Sequence, residues 1–172
     1  LYKSGIIEMA LQSKLIVYLA IVGVLALMGG IIFYASLDND ELALIEIELT
    51  NVRLLDVDTA NNQAKFEVTF LVKNPSDKTL TVSQIQFQLY GDGELLGSGL
   101  YSTADIALPG RALFFSGAEI PLKNTFVLSK SEVDSEIYED ATNERITSFS
   151  AEGNIITQTS WSESEKDFKT GY

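Results

Sequence analysis

The chain has 172 residues, with 12 Lys and Arg against 24 Asp and Glu and neither His nor Cys. That composition excludes Ser-His and Cys-His nucleophilic catalysis, disulfides, and zinc, copper or haem sites built on those ligands. A net charge of −12 also excludes nucleic-acid binding by backbone electrostatics.

In chain order, residues 1–14 form a short leading segment whose charges are Lys3, Glu8 and Lys14, with Met9 an alternative first residue. Leu15–Ala35 follows as 21 residues without a charge, proline, Asn or Gln. As a helix rising about 1.5 Å per residue it is roughly 31 Å long, the thickness of a bilayer's hydrocarbon core, so the run predicts a transmembrane helix. Lys3 and Lys14 precede it, whereas Asp38, Asp40 and Glu41 follow. The positive-inside rule then puts the N-terminus in the cytoplasm and the rest of the chain outside the cell membrane. Lys14, Tyr18, Phe33 and Tyr34 suit interfacial anchors. Gly23, Ala26 and Gly30 share one helix face, where small residues let a second membrane helix approach closely.

Three other readings of this run are weaker. Buried helices of soluble domains rarely extend so far without a polar side. A cleaved signal peptide has a shorter apolar region and a small-residue cleavage site, unlike Phe33-Tyr34-Ala35-Ser36-Leu37. An archaeal type IV pilin joins a β-rich domain to such a helix, but Lys3, Glu8 and Lys14 fit poorly in a nearly uncharged filament core.

Residues 36–172 carry 10 Lys and Arg against 23 Asp and Glu, a net of −13, which suits a soluble, self-repelling outer domain. Ser36–Leu42 reads as a short polar tether. The period then becomes two. Ile45, Ile47 and Leu49 alternate with Glu46, Glu48 and Thr50, and Phe66, Val68, Phe70 and Val72 alternate with polar partners after a polar loop at Asp56–Asn62. Asn74-Pro75-Ser76-Asp77 stops the second strand. Leu80 and Val82 resume, and Ile85, Phe87 and Leu89 continue with shifted parity, which requires a bulge near Ser83. Gly91-Asp92-Gly93 reads as a hairpin turn returning through Gly97 and Gly99.

Leu108-Pro109-Gly110 is a further turn, and Phe114, Ser116, Ala118, Ile120 and Leu122 read as one strand closed by Lys123-Asn124. A helix is predicted over Ser131–Asn143 from Val133, Ile137 and Ala141, with Ser129 and Glu132 as a capping box. Phe149, Ala151, Gly153 and Ile155 form a late strand. Residues 43–161 thus make one domain, followed by a polar tail, 162–172, that is either a last edge strand or a loose end. Six or seven strands imply an antiparallel two-sheet sandwich, immunoglobulin-like in architecture, capped by one short helix.

The stretch from Phe66 to Gly99 resembles the LEA14-like domain, also called the water-stress and hypersensitive-response domain. Its pattern is an alternating strand, Asn74-Pro75, a second strand ending in an aromatic, a glycine turn at Gly91 and Gly93, and the small pair Gly97 and Gly99. Ile106–Gly110, the helix and Phe149–Gly153 fit its later half, so the resemblance spans roughly 43–160. It implies an antiparallel β-sandwich with one helix, found in stress-associated or membrane-anchored archaeal and plant proteins. It brings no catalytic residue, and it does not account for the acidic tail.

The acidic turns Asp38/Asp40/Glu41, Asp56/Asp58 and Asp92/Glu94 offer oxygen ligands for weak calcium binding, but none has EF-hand spacing and such turns are ordinarily solvated. No catalytic residue, cofactor or metal is expected. The expected partners are the lipid bilayer and other membrane-protein subunits, reached through the helix and the β-domain. The expected role is that of a non-catalytic accessory or structural subunit. The alternatives are a surface protein protective against desiccation or osmotic stress, and a pilin-like or adhesive envelope protein.

Overall fold

The computed structural model describes the backbone of residues 2–104, 106 and 110–172, and their side chains except those of 2–13, 35 and 37–40. The side chains of Lys3, Glu8, Asp38 and Asp40, and Ala107–Pro109 of the turn expected at Leu108-Pro109-Gly110, lie outside that description. Residues 1–38 and 39–172 are two compact units.

Helix α1 runs Tyr2–Leu42, and its Lys14–Tyr34 segment is long and apolar enough to cross a membrane. The short polar tether read at Ser36–Leu42 is helical, because α1 continues through it. No Gly or Pro interrupts residues 31–42, and the Ser36 hydroxyl donates to the Phe33 carbonyl at 2.7 Å within the helix.

The second unit is an antiparallel sandwich, as the alternation predicts. One sheet has the order β1 (Glu46–Asp58), β2 (Gln63–Lys73), β6 (Glu119–Ser129). The other has the order β4 (Glu94–Ser102), β3 (Leu80–Gly91), β7 (Phe149–Gln158), β8 (Glu163–Gly171), with β5 (Leu113–Phe114) also paired to β3. The predicted inward rows do face the core: Ile45, Ile47 and Leu49, then Phe66, Val68, Phe70 and Val72, then Leu80, Val82, Ile85, Phe87 and Leu89 are all buried. Each such side chain contributes about 1.5–3 kcal/mol by leaving water. The bulge predicted near Ser83 is a register shift between Val82 and Gln84 on the β7 side. Leu42 and Ile45, where the chain enters this unit, are fully buried.

Four local expectations fail. The single strand expected through Phe114–Leu122 is two, because the chain leaves one sheet after Phe114 and joins the other at Glu119. Gly117 takes φ +73° at the crossing, while inside-outside parity is kept across it. Lys123-Asn124 does not close the second strand. It sits in mid-β6, whose register with β2 runs unbroken to Ser129. The capping box is absent: Glu132 N–H donates to the Ser129 carbonyl in a turn, and α2 spans only Ser135–Thr142 behind Asp134. The loop expected at Asp56–Asn62 is shorter, since a second β1–β2 register shift lets β1 run to Asp58.

The segment after Trp161 is the last edge strand rather than a loose end. β8 pairs with β7 from Glu163 to Gly171, so the sandwich does not stop at Trp161. Across the open side of the sandwich β8 lies beside β1, where Lys166 Nζ donates to the Ile45 carbonyl at 2.6 Å and Leu49 N–H to Thr170 Oγ1 at 3.1 Å.

Candidate functional site

The residues singled out in the sequence fall into three places. Gly23, Ala26 and Gly30 lie on α1. A Cβ added at Gly23 or Gly30 would meet nothing within 4 Å, as along the rest of this exposed helix. Lys14 and Tyr18 stand exposed near one end of the apolar segment, with Phe33 and Tyr34 exposed at the other.

Asn74 and Pro75 end β2. Pro75 is exposed and has no N–H to offer the ladder, which terminates pairing there. Asn74 is buried and saturated. Its Nδ2 donates to the carbonyls of Lys78 (2.7 Å), Phe114 (2.9 Å) and Phe115 (3.2 Å), and its Oδ1 accepts from Ser76 N–H (3.1 Å) and Ser76 Oγ (2.8 Å). Its backbone N–H donates to the Ala118 carbonyl and its own carbonyl accepts from Gly117. One amide side chain thereby fastens the β2–β3 loop to the β5–β6 crossing. The work of Asn74 is structural, since none of its polar atoms is left to hold a ligand.

Gly91, Asp92 and Gly93 form the β3–β4 hairpin. Gly91 pairs with Glu94, and both central residues have positive φ, +49° at Asp92 and +91° at Gly93, the geometry of a type I′ turn. The Asp92 carboxylate accepts from the N–H and hydroxyl groups of both Thr147 and Ser148, 55 and 56 residues away. Those donors, Thr147 foremost, hold its carboxyl below the usual 3.8. Asp58 is similarly lowered by Asn61 and Ala60. Asp58 is thus spent on its own loop and Asp92 on the approach to β7, and among the described residues no group of three Asp or Glu side chains is gathered for a metal.

Gly97 and Gly99 make room for rings. A Cβ on Gly99 would strike the Phe87 ring, and one on Gly97 (φ +146°) would press on Phe126 at 3.2 Å. Register places Phe87 between Gly99 and Gly153, and Phe168 on the far side of Gly153, so large and small residues alternate along one inner row. Phe70 of the facing sheet fills the middle, with ring centroids 5.0 Å from Phe87 and 5.8 Å from Phe168. Phe168, from the segment after Trp161, belongs to the core's edge.

Sequence reasoning missed two concavities. On the outer face of the five-stranded sheet a groove of about 750 Å³ is lined by Gln86, Gln88, Ser98, Glu152, Asn154 and Asp167. Beside it Glu152 is held below its usual range by the Lys169 ammonium (2.9 Å) and by the Tyr90 hydroxyl, which donates at 2.8 Å and is itself pushed up by Glu152. A second opening, of about 340 Å³, lies between the sheets and is lined by Val52, Leu54, Phe66, Ile146, Phe149 and Tyr172, with Glu144 and Thr147 at hand. The strand alternation could have located the first as a polar face. The second brings together residues from opposite parts of the chain and leaves no mark in the sequence.

No family model and no curated protein matches the sequence. Solved structures do resemble it. A protein from Archaeoglobus fulgidus is 12% identical, over 73% of this chain and 96% of that one, at a TM-score of 0.44. A structure described as a late embryogenesis abundant (LEA) protein is 11% identical, over 86% of this chain and 84% of that one, at 0.39. An Arabidopsis thaliana protein solved in solution is 14% identical, over 74% of this chain and 80% of that one, at 0.51. What the last of these shares with this chain is the fold.

Proposed function

We propose that this is a non-catalytic, single-span membrane protein, N-terminus in the cytoplasm, that presents its sandwich on the outer face as an accessory or structural subunit of a larger membrane assembly. One observation carries the reading. Within the Lys14–Tyr34 segment, residues 15–34 form a helix apolar on every side, with its side chains exposed, and such a helix is stable only in hydrocarbon or against other apolar helices. The order of charges around it favours the outward orientation. The small residues Gly23, Ala26 and Gly30 on one helix face suit a helical neighbour.

Alkaline carbonate washing and protease treatment of intact cells test the anchor. The chain should stay in the membrane pellet and lose its sandwich to external protease; release by carbonate overturns the reading. Mild detergent should then extract it with partners in fixed ratio, and Gly23→Leu with Gly30→Leu should reduce that recovery while the sandwich stays folded. Recovery only as a lone monomer overturns the subunit role.

A second reading is protection of the cell surface under osmotic stress or desiccation. It draws on the LEA14-like order of Phe66–Gly99 and on the acidity of residues 36–172. Unchanged survival of a deletion strain after drying and salt shock would dismiss it.

A further inference from the structure

The two ends of the sandwich differ in chemistry. At one end lie the start of β1, the β2–β3 loop, the β5–β6 crossing and the β7–β8 hairpin, brought together by the register Glu46–Lys73–Glu119 in one sheet and Thr81–Gln158 in the other. This is the end at which the chain arrives from α1. Four large apolar side chains stand exposed there on three separate segments: Leu44, Leu113 and Phe115, and Trp161, which at 80% is the most exposed large apolar side chain among the described residues. Segments 39–46, 73–80, 110–119 and 158–163 carry six acidic and three basic residues, a net of −3. The opposite end, made of 56–62, 91–94 and 130–145, carries ten acidic residues against two basic.

The reach of the chain fits a surface at the first end. Eight residues lead from Tyr34 to Leu42, so even fully extended the chain spans at most about 28 Å between them. Lys166 meets the Ile45 carbonyl, and β1 and β8 run side by side in the same direction from that contact, as the Leu49–Thr170 bond shows. The strand residues from Lys166 back to Glu163, about 10 Å at ~3.3 Å each, therefore carry the hairpin and Trp161 beyond the start of β1. Trp settles at the headgroup level of a bilayer, and Trp, Phe and Leu insert at its boundary with the acyl chains, whereas a densely acidic end is repelled by anionic lipid.

We propose that the end bearing Leu44, Leu113, Phe115 and Trp161 rests on the lipid surface, with Trp161 and Phe115 inserted among the headgroups and the acidic end facing away. This rests on the membrane-anchored reading above. It adds an orientation: the sandwich lies against the bilayer by a fixed end instead of tumbling above it.

Trp161 is the sole tryptophan of the chain and so reports on itself. The full chain is reconstituted into vesicles of phosphatidylcholine and phosphatidylglycerol, with and without bromine on the acyl chains near the headgroup. Flotation with the vesicles checks the anchor. Blue-shifted emission and loss of most of the intensity in brominated vesicles is the expected result, and Phe115→Ser should reduce that quenching while the circular dichroism stays unchanged. A Trp161→Phe, Leu55→Trp variant moves the reporter towards the acidic end and should not be quenched. Flotation with water-like, unquenched Trp161 emission overturns the orientation and leaves the anchor standing. Failure to float overturns both. Trp161 shielded in native membranes but unquenched by brominated lipid overturns it in favour of a protein contact.

Discussion

Asn74 and Asp92 do the same work at opposite ends of the sandwich, with different chemistry. Each gathers donors or acceptors from a segment distant in the chain: Asn74 from the β5–β6 crossing, Asp92 from the approach to β7. Asn74 is 1% exposed, and there a neutral amide can donate and accept without a charge to desolvate. Asp92 is exposed, where a carboxylate keeps its hydration and gains charge-assisted hydrogen bonds. The difference teaches that burial, more than the shape of the turn, decides whether Asn or Asp occupies such a hub.

The comparison breaks most severely under Asn74→Asp. The new carboxylate would face the Lys78, Phe114 and Phe115 carbonyls with nothing to donate, and the loss should exceed about 4 kcal/mol in urea unfolding. Asn74→Ala should cost about 2–4 kcal/mol, because the Phe114 carbonyl and the Ser76 amide lose their buried partner. Equal loss in the two variants would show that the charge, and hence burial, does not matter there. At the other end Gly93→Ala, forced to keep φ +91°, should cost about 1–2 kcal/mol, read by thermal unfolding.

The smallest change is Asp92→Asn, and it sharpens the contrast through pH. The folded Asp92 carboxyl lies below its ordinary 3.8, so its contribution is fully present above that value and disappears as pH falls through the folded one. The wild-type chain should therefore exceed Asp92→Asn in melting temperature at neutral pH, with the gap shrinking below about pH 4. A gap that is constant from neutral pH to pH 3 would remove Asp92 from the account. Asn74→Ala should show no such pH dependence, whereas Asn74→Asp, which buries a carboxyl against carbonyls, should regain stability as pH falls.

Much of the fold was legible because the inward rows of β1, β2 and β3 are apolar at every second residue. The bulge near Ser83 was legible for the same reason, since a parity change has no other simple cause in a strand. The β5–β6 division was not, because Phe114 and Leu122 are both buried and keep one parity although they belong to different sheets. β8 hid because Phe168 is the sole apolar residue in its inward row; Ser164, Lys166 and Thr170 fill the rest, as a half-covered edge allows. The Asn74 turn announced itself in the sequence as a strand terminator. Its partners 40 residues away did not, and neither did the bond from Asp92 to Thr147, because side-chain pairing between segments distant in the chain follows no period.

The neighbouring positions of β1 and β8 set a condition on biogenesis. The earliest strand of the sandwich lacks its lateral companion until the last has been made, so the core near Ile45 and Phe70 stays wet for nearly the whole of synthesis. Contacts this distant in sequence make folding slow. If the segment is threaded across a bilayer, the sandwich assembles only after Lys166 and Phe168 have arrived on the same side, and a ribosome stalled before β8 would leave an open-sided, adhesive intermediate attached to the membrane.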